Sequence, residues 1–154
     1  SKNPNGQNYL KTNLKIIEKK IEDDQDKWHI SAKHDGYQKK YGLNIKRDLT
    51  FFKNENKFIG TDKIISKRGF QNLEYEIRFH LMPGTNAIKT QDQKSILIQL
   101  NKSGWKFTCD KEIFDIEKGL YFGRKNSFSE NLNIFINGFI SNEEEEINWS
   151  IEKI

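Results

Sequence analysis

The side chains best suited to chemistry in this sequence are three histidines and one cysteine, namely His29, His34, His80 and Cys109. An imidazole can carry a proton or ligate a metal ion near neutral pH. His34 stands apart because it directly precedes Asp35–Gly36, a pair typical of turns, and functional residues often lie on loops at strand ends. His34 is therefore the first candidate site residue. The alternative is that this histidine only packs against a well-formed turn.

The other reactive side chains do not complete a recognisable site. His29 and His80 occur in alternating segments, Lys27–Lys33 and Leu73–Leu81, and each is expected on the solvent-facing side. A zinc site needs three or four nitrogen, sulfur or oxygen ligands, which scattered histidines and one cysteine do not supply. The sequence also contains no phosphate-binding glycine loop and no recognisable nucleophile–base–acid set. We therefore assign no catalytic residue to this chain.

The composition indicates one folded domain with a thin core and a very polar surface. The 154 residues suit a single domain, and they contain 34% apolar and 31% charged residues. Aromatic residues reach 12%, and their rings bury enough area to hold a narrow interior together. The net charge of +4 favours polyanions in general, without selecting one.

Three further properties are excluded by simple patterns. Lysines and arginines alternate with aromatic residues as expected of strands with one core face, so we expect no nucleic acid partner. No apolar run approaches the roughly 18 residues that a membrane-spanning helix requires. Cys109 is the single cysteine, so the chain forms no internal disulfide. The compartment stays open on these grounds.

The dominant period of the sequence is two, which is typical of β-strands. In Leu73–Leu81 the apolar residues point one way and the charged residues point the other, whereas Arg47 interrupts the same pattern in Asn44–Phe52. Turns are expected at Asp35–Gly36, Pro83–Gly84, Ser103–Gly104 and Asn137–Gly138. Roughly ten strands with short turns predict an all-β fold, an antiparallel β-sandwich of two packed sheets.

The first 26 residues fit this pattern less well. Leu10, Leu14, Ile17 and Ile21 follow a 4-3-4 spacing, which is typical of an amphipathic helix. A strand around Lys15–Ile21 is the alternative in such β-rich surroundings, and the sequence does not decide between them. We therefore divide the chain into an N-terminal segment, 1–26, which is a strand or short helix, and a β-sandwich domain, 27–154.

Several motifs follow one another along the chain, namely SAKHDGYQKKYGLNIKRDLTFF, FIGTDKI, YEIRFHLMPGTNA, SILIQLNKSGWKFT, GLYFGRKNSFSENLNIFI and INWSIEKI. The most specific pieces are the His-Asp-Gly-Tyr run at His34–Tyr37 and the Arg-Phe-His-Leu-x-Pro run at Arg78–Pro83. The order of these motifs, over Trp28 to Ile154, resembles the C-terminal β domain of the heparinase II/III-like family of polysaccharide lyases.

The resemblance implies a larger enzyme in which an α/α toroid precedes the β region. Such enzymes cleave uronic-acid glycans, glycosaminoglycans among them, by β-elimination, in which a base removes the C5 proton and the 4-O bond breaks. The family's catalytic tyrosine, the Asn or His beside it and a further histidine lie in segments that precede the part matched here. The resemblance therefore implies a supporting domain, inactive alone, that is a fragment or separately encoded piece of a lyase.

The resemblance also implies candidate site residues and partners. His34 falls where some members place the last ligand of a divalent metal, zinc or calcium, although no metal is expected for this chain alone. Tyr37 is the candidate substrate-binding residue. The implied partners are an acidic polysaccharide and an α/α-toroid domain in the same or a neighbouring polypeptide. The implied location is the periplasm or cell envelope, with the cytoplasm left open.

Two other functions remain open at this point, a stand-alone carbohydrate-binding sandwich and a protein-interaction module. Carbohydrate binding would need several exposed, coplanar aromatic rings. Trp28, Trp105 and Trp149 are all expected on core-facing positions, which counts against it. A large exposed apolar patch would instead mark contact with another domain.

Overall fold

The computed structural model describes residues 14–67, 69, 72–124 and 127–154. These residues form eleven strands and one short helix. In chain order the elements are β1 (Ile16–Asp23), β2 (Lys27–Tyr37), α1 (Gln38–Tyr41), β3 (Leu43–Phe52), β4 (Lys57–Ser66), β5 (Glu74–His80), β6 (Asn86–Lys89), β7 (Ile96–Leu100), β8 (Ser103–Cys109), β9 (Phe114–Arg124), β10 (Ser127–Phe139) and β11 (Glu144–Lys153).

The strands form two antiparallel sheets, which confirms the predicted all-β sandwich. The large sheet has eight strands in the order β1-β2-β3-β4-β11-β8-β7-β6, and the small sheet has three in the order β5-β10-β9. The core lies between them. Its fully buried side chains come from both sheets and alternate along each strand, as the period of two predicts; they include Ile96, Phe107, Ile134, Ile136 and Ile147.

The segment with helical spacing is a strand where the structure describes it. β1 pairs with β2, for example Ile21 with Ile30, so its backbone hydrogen bonds go to a neighbouring strand. A helical spacing favours a helix only where the apolar face of the helix is buried. Ile17 and Ile21 stay exposed, so the hydrogen bonds between β1 and β2 decide the structure of this segment. Leu10 lies outside the described residues.

The predicted turn at Asp35–Gly36 is wrong, because both residues lie within β2. His34 pairs with Ile45 and Tyr37 with Leu43, so two residues of β2 face one residue of β3, which is a β-bulge. The chain reverses only after α1, where Gly42 caps the helix with φ of 73°. That left-handed conformation is one that glycine adopts without strain.

The other three turn predictions had mixed outcomes. Pro83–Gly84 forms a turn, with Gly84 at φ of 84°. The turn expected at Ser103–Gly104 comes two residues earlier, since Ser103 already begins β8. The turn at Asn137–Gly138 is wrong, because both residues lie in β10. Gly138 is needed there for space, since a Cβ atom would collide with the Tyr75 side chain.

The two sheets differ greatly in width, and this creates a groove. At about 4.8 Å per strand, eight strands span about 34 Å between the outer strands, whereas three span about 10 Å. The small sheet therefore leaves part of the large sheet's inner face uncovered. One such part lies beside β5, the outer strand of the small sheet, and over β2, β3 and β4.

Candidate functional site

The groove beside β5 brings together both residues that the sequence marked as site candidates. It has a volume of about 650 Å³, a size typical of ligand-binding clefts. His34, Tyr37 and Tyr41 line the end of the groove nearest α1. Arg47 and Asp62 line its floor on the large sheet, and the remaining lining is mostly aliphatic.

The β-bulge in β2 fixes the position of His34. The Gly36 backbone N–H donates a hydrogen bond to His34 Nδ1 at 3.2 Å, so the proton of the neutral ring lies on Nε2. Partial burial lowers the pKa of His34 from its ordinary value, because the charged imidazolium loses hydration, while the nearby Asp35 carboxylate acts weakly in the opposite direction. Burial therefore favours the neutral form of the His34 ring.

Tyr37 and Tyr41 continue the aromatic wall from His34 toward α1. The ring centroids are 6.0 Å apart for His34 and Tyr37 and 6.4 Å apart for Tyr37 and Tyr41. Tyr37 is 50% exposed, which leaves much of its ring available to a ligand. The Lys40 ammonium lies 4.8 Å from the centroid of the Tyr41 ring.

The geometry of His34 does not by itself suit metal binding. Ligation through Nε2 would require the proton on Nδ1, where it would face the Gly36 N–H, and ligation through Nδ1 would displace that N–H. Within the described ranges, no three His, Cys, Asp or Glu side chains group so that they could hold a metal ion. The described residues therefore do not fit a complete metal site.

Arg47 and Asp62 form a partly buried ion pair that sequence reasoning missed. Arg47 donates to both oxygens of the Asp62 carboxylate, at 2.6 Å from Nε and 2.9 Å from Nη2. Trp149 Nε1 donates to Asp62 at 2.8 Å. Arg47 and Asp62 are opposite each other on β3 and β4. The available signal was the arginine that interrupts the apolar alternation of β3.

The outer edge of β5 exposes backbone groups to the groove. At its ends, Leu81 N donates to Leu132 O and Ile140 N to Leu73 O, so odd-numbered residues bond to β10. The peptide groups of the even-numbered residues therefore point away from β10, toward the groove. Those that line the groove belong to Glu74, Glu76 and Arg78.

The charges lining the groove nearly cancel. Arg47 is paired with Asp62, and Arg78 is paired with both Glu76 and Glu117. Glu74 adds a further negative charge to the lining. The two arginines of the groove are therefore already neutralised, and the floor of the groove has no excess positive charge that would select an acidic ligand.

The sequence matches a protein-family model over most of its length. The model described as Heparinase II/III-like, C-terminal, matches residues 5–150. The chain belongs to the heparinase II/III-like family. No curated protein matches the sequence. The resemblance noted in the sequence is therefore confirmed for the family and for its C-terminal β region.

Solved structures share the fold of this heparinase II/III-like domain. The heparan sulfate lyase HepC from Pedobacter heparinus matches with a TM-score of 0.74 at 12% identity, covering 97% of this chain and 23% of that chain. A heparinase III gene product matches with a TM-score of 0.73 at 14% identity, with the same two shares covered. The chain thus spans about a quarter of the length of these structures.

The other two histidines of the heparinase II/III-like domain lie apart from the groove lining. His29 is partly buried rather than exposed, because its Nδ1 bonds to Thr50 Oγ1 at 2.9 Å on the outer face of the large sheet. His80 is exposed, as expected, and its Nδ1 bonds to Asn133 Oδ1 at 2.9 Å. Neither lines the groove that contains His34.

The tryptophans behave as their register predicted. Trp149 is buried, and Trp28 and Trp105 are partly buried on the inner side of the large sheet. No helix in the described parts of the chain has the length and apolar character to cross a membrane.

Proposed function

We propose that this domain is the C-terminal β-sandwich of a larger lyase that cleaves uronic-acid polysaccharides by β-elimination. The observation that carries the proposal is the family match over residues 5–150, together with structural matches that use 97% of this chain and only 23% of two glycan-cleaving enzymes. In this proposal the domain is a scaffold and one wall of the substrate groove, and it is inactive alone.

The chemistry of β-elimination supports a role for this domain that does not include the catalytic groups. β-Elimination needs a base within hydrogen-bond reach of the C5 proton and donors directed at the developing charge on the uronate. Here His34 Nδ1 is engaged by the Gly36 N–H, and the groove arginines are engaged by carboxylates. We therefore place the base and the charge-neutralising donors on another domain, and we assign Tyr37 to contact with the sugar.

Exposed apolar side chains at the end of the β9–β10 hairpin support the presence of a partner domain. Phe122 is 70% exposed, Phe128 is 65% exposed, and their ring centroids lie 6.1 Å apart. Leu120 is also exposed. Burying one such side chain contributes about 1.5–3 kcal/mol, so leaving three in water is unfavourable. We propose that an α/α-toroid domain covers them.

A divalent metal in the intact enzyme is a separate part of the proposal. His34 would supply one ligand only after its hydrogen bond to Gly36 is broken, and the other ligands would come from outside this chain. Bound there, zinc or calcium would supply positive charge near the groove. The proposed location of the intact enzyme is the periplasm or cell envelope, where acidic polysaccharides are accessible.

The test compares the domain alone with the full product of its reading frame. Heparan sulfate is incubated with each protein, and unsaturated uronate is followed by its ultraviolet absorbance. We expect activity from the full product and none from the domain alone. Cleavage by the domain alone would refute the scaffold role, and a full product that contains a toroid but cleaves no uronic-acid glycan would refute the lyase assignment.

A carbohydrate-binding module is the second candidate, and one observation favours it. Tyr37 is 50% exposed at the end of a groove of suitable size. The three tryptophans do not add to such a platform, because none of them is exposed. This function would be preferred if the full product bound glycans without cleaving them.

A further inference from the structure

Three lysines beside the aromatic end of the groove have no ion-pair partner among the residues that the structure describes. Lys39 and Lys40 lie on α1, and Lys67 directly follows β4. The Lys67 backbone N–H donates to Gly42 O at 2.9 Å, so Lys67 is held next to the residue that ends α1. All three lysines are exposed, and among the described residues none forms a salt bridge.

Elsewhere in the domain, closely spaced lysines are neutralised. Lys33, Lys46 and Lys63 lie opposite one another on neighbouring strands of the large sheet, a like-charge arrangement that is unfavourable unless it is compensated. Each has a carboxylate partner: Glu18 at 3.0 Å for Lys33, Asp48 at 3.4 Å for Lys46, and Glu146 at 2.7 Å for Lys63.

Lys63 is less available to an acidic ligand than the lysines near α1, because it is held by two carboxylates. Its hydrogen bonds to Glu146 and Glu144 raise the pKa of Lys63, because both carboxylates favour the charged ammonium. An acidic ligand would have to displace these carboxylates before it could bind there. Lys39, Lys40 and Lys67 have no such competitor in the described chain, and their charge is available to a ligand.

The acidic residues near α1 only partly offset this charge. Asp35 accepts a hydrogen bond from the Lys15 backbone N–H at 2.8 Å, which orients its carboxylate toward β1. Glu143 adjoins Lys67, because its carbonyl accepts from Ser66 N at 2.8 Å. Three lysine charges against these two carboxylates leave the end of the sheet positive.

The exposed ring of Tyr37 lies at the same end of the sheet. Tyr37 immediately precedes α1, and Lys40 contacts the next ring in the wall, that of Tyr41. A flat ring accepts the apolar face of a sugar, while ammonium groups bind its carboxylate or sulfate substituents. Among the described residues, both arginines of the groove lining are paired with carboxylates, whereas Lys39, Lys40 and Lys67 at this end of the sheet are not.

We propose that Tyr37, Lys39, Lys40 and Lys67 form a binding site for a saccharide unit that carries a carboxylate or sulfate group. The site lies on the surface around α1, at the end of the groove rather than on its floor. The choice of saccharide as the ligand class rests on the proposed function. The four residues hold an acidic glycan against the domain and take no part in breaking its bonds.

The test measures binding of a heparin-derived tetrasaccharide to the domain by titration calorimetry at low salt. The triple variant K39Q/K40Q/K67Q is expected to bind about tenfold or more weakly, because it loses the charge-assisted contacts. The matched control K94Q/K102Q/K118Q removes the same charge from exposed lysines elsewhere and is expected to change affinity less than about threefold.

A second pair of variants separates ring contact from charge. Tyr37→Ala is expected to weaken binding about fivefold, whereas Tyr37→Phe keeps the ring and is expected to bind like the wild type. Thermal melting of each variant checks that it remains folded, which is expected because all the substituted side chains are exposed.

Three results would overturn the proposal. Equal losses in the two triple variants would mean that only net charge matters, and unchanged affinity in K39Q/K40Q/K67Q would place the site elsewhere. No binding by the wild-type domain at low salt would exclude the site altogether. Lyase activity of the full product is measured separately, so failure of the lyase assignment and failure of this binding site are distinguishable.

Discussion

The ion pair between Arg47 and Asp62 allows a quantitative test of how the groove floor is held. Asp62 is only 3% exposed and accepts three hydrogen bonds, two from Arg47 and one from the buried Trp149 indole. Arg47 differs, because its side chain is 44% exposed and also lies near the Phe79 and Trp149 rings. Removing Asp62 and removing Arg47 should therefore destabilise the domain for different reasons.

The magnitude for Asp62→Ala follows from what is left unpaired. The Trp149 N–H becomes a buried donor without a partner, which costs about 1–3 kcal/mol. Arg47 can be hydrated because it is partly exposed, so the loss of its ion-pair partner adds only about 1 kcal/mol. The free energy of unfolding should fall by about 2–4 kcal/mol, which corresponds to a decrease in Tm of about 4–16 °C for a domain of this size.

A double-mutant cycle provides the decisive measurement. Arg47→Met should also cost about 2–4 kcal/mol, because it leaves the buried carboxylate with only the indole N–H. The double variant Arg47→Met/Asp62→Ala removes both charges and should cost only about 1–3 kcal/mol, so the two effects should not add.

Urea unfolding followed by circular dichroism gives the four free energies of this cycle. A coupling of more than about 1 kcal/mol between the two positions is expected. Additive effects, or a loss of less than about 1 kcal/mol for Asp62→Ala, would refute the view that this pair and the Trp149 contact hold the groove floor.

Two further predictions concern packing and pH. Gly60→Ala should lower the free energy of unfolding by about 1–3 kcal/mol or more, because the added methyl group would collide with the buried Trp149 ring. Gly104→Ala is the control, because its tightest contact is with the exposed Ile154 side chain and its nearest backbone atom is at an ordinary contact distance. Equal effects of the two variants in urea unfolding would contradict the reasoning. The lowered pKa of His34 means that the unfolded chain binds its proton first as the pH falls, so this residue's contribution to stability should decrease below about pH 6.5. NMR titration of the His34 ring should give a midpoint below 6.5, and a midpoint above that value would show that burial does not control its protonation.

The fold was largely predictable because alternation along a strand is a local property. In β5, the side chains of Tyr75, Ile77 and Phe79 face the core, as a period of two requires. The bulge at Asp35–Gly36 was not predictable in this way. Turn-forming residues also suit bulges, and only the pairing of β2 with β3 distinguishes the two.

The candidate site was predictable only in part, because it depends on contacts between distant segments. His34 and Tyr37 are close in sequence, and their joint position in the groove could be anticipated. Arg47 and Trp149 are about a hundred residues apart, and they meet because β11 lies beside β4. Nothing local in either segment specifies that neighbour.

The position of β11 has a consequence for how the domain reaches its native state. It pairs with β4 on one side and β8 on the other, so among the described strands it is the one that joins β1–β4 to β6–β8 in the large sheet. A ribosome makes β11 after the other ten strands. Until Glu144–Lys153 emerges from the ribosome, the edges of β4 and β8 that pair with β11 stay unpaired. During this interval, newly made chains are most exposed to mispairing with one another.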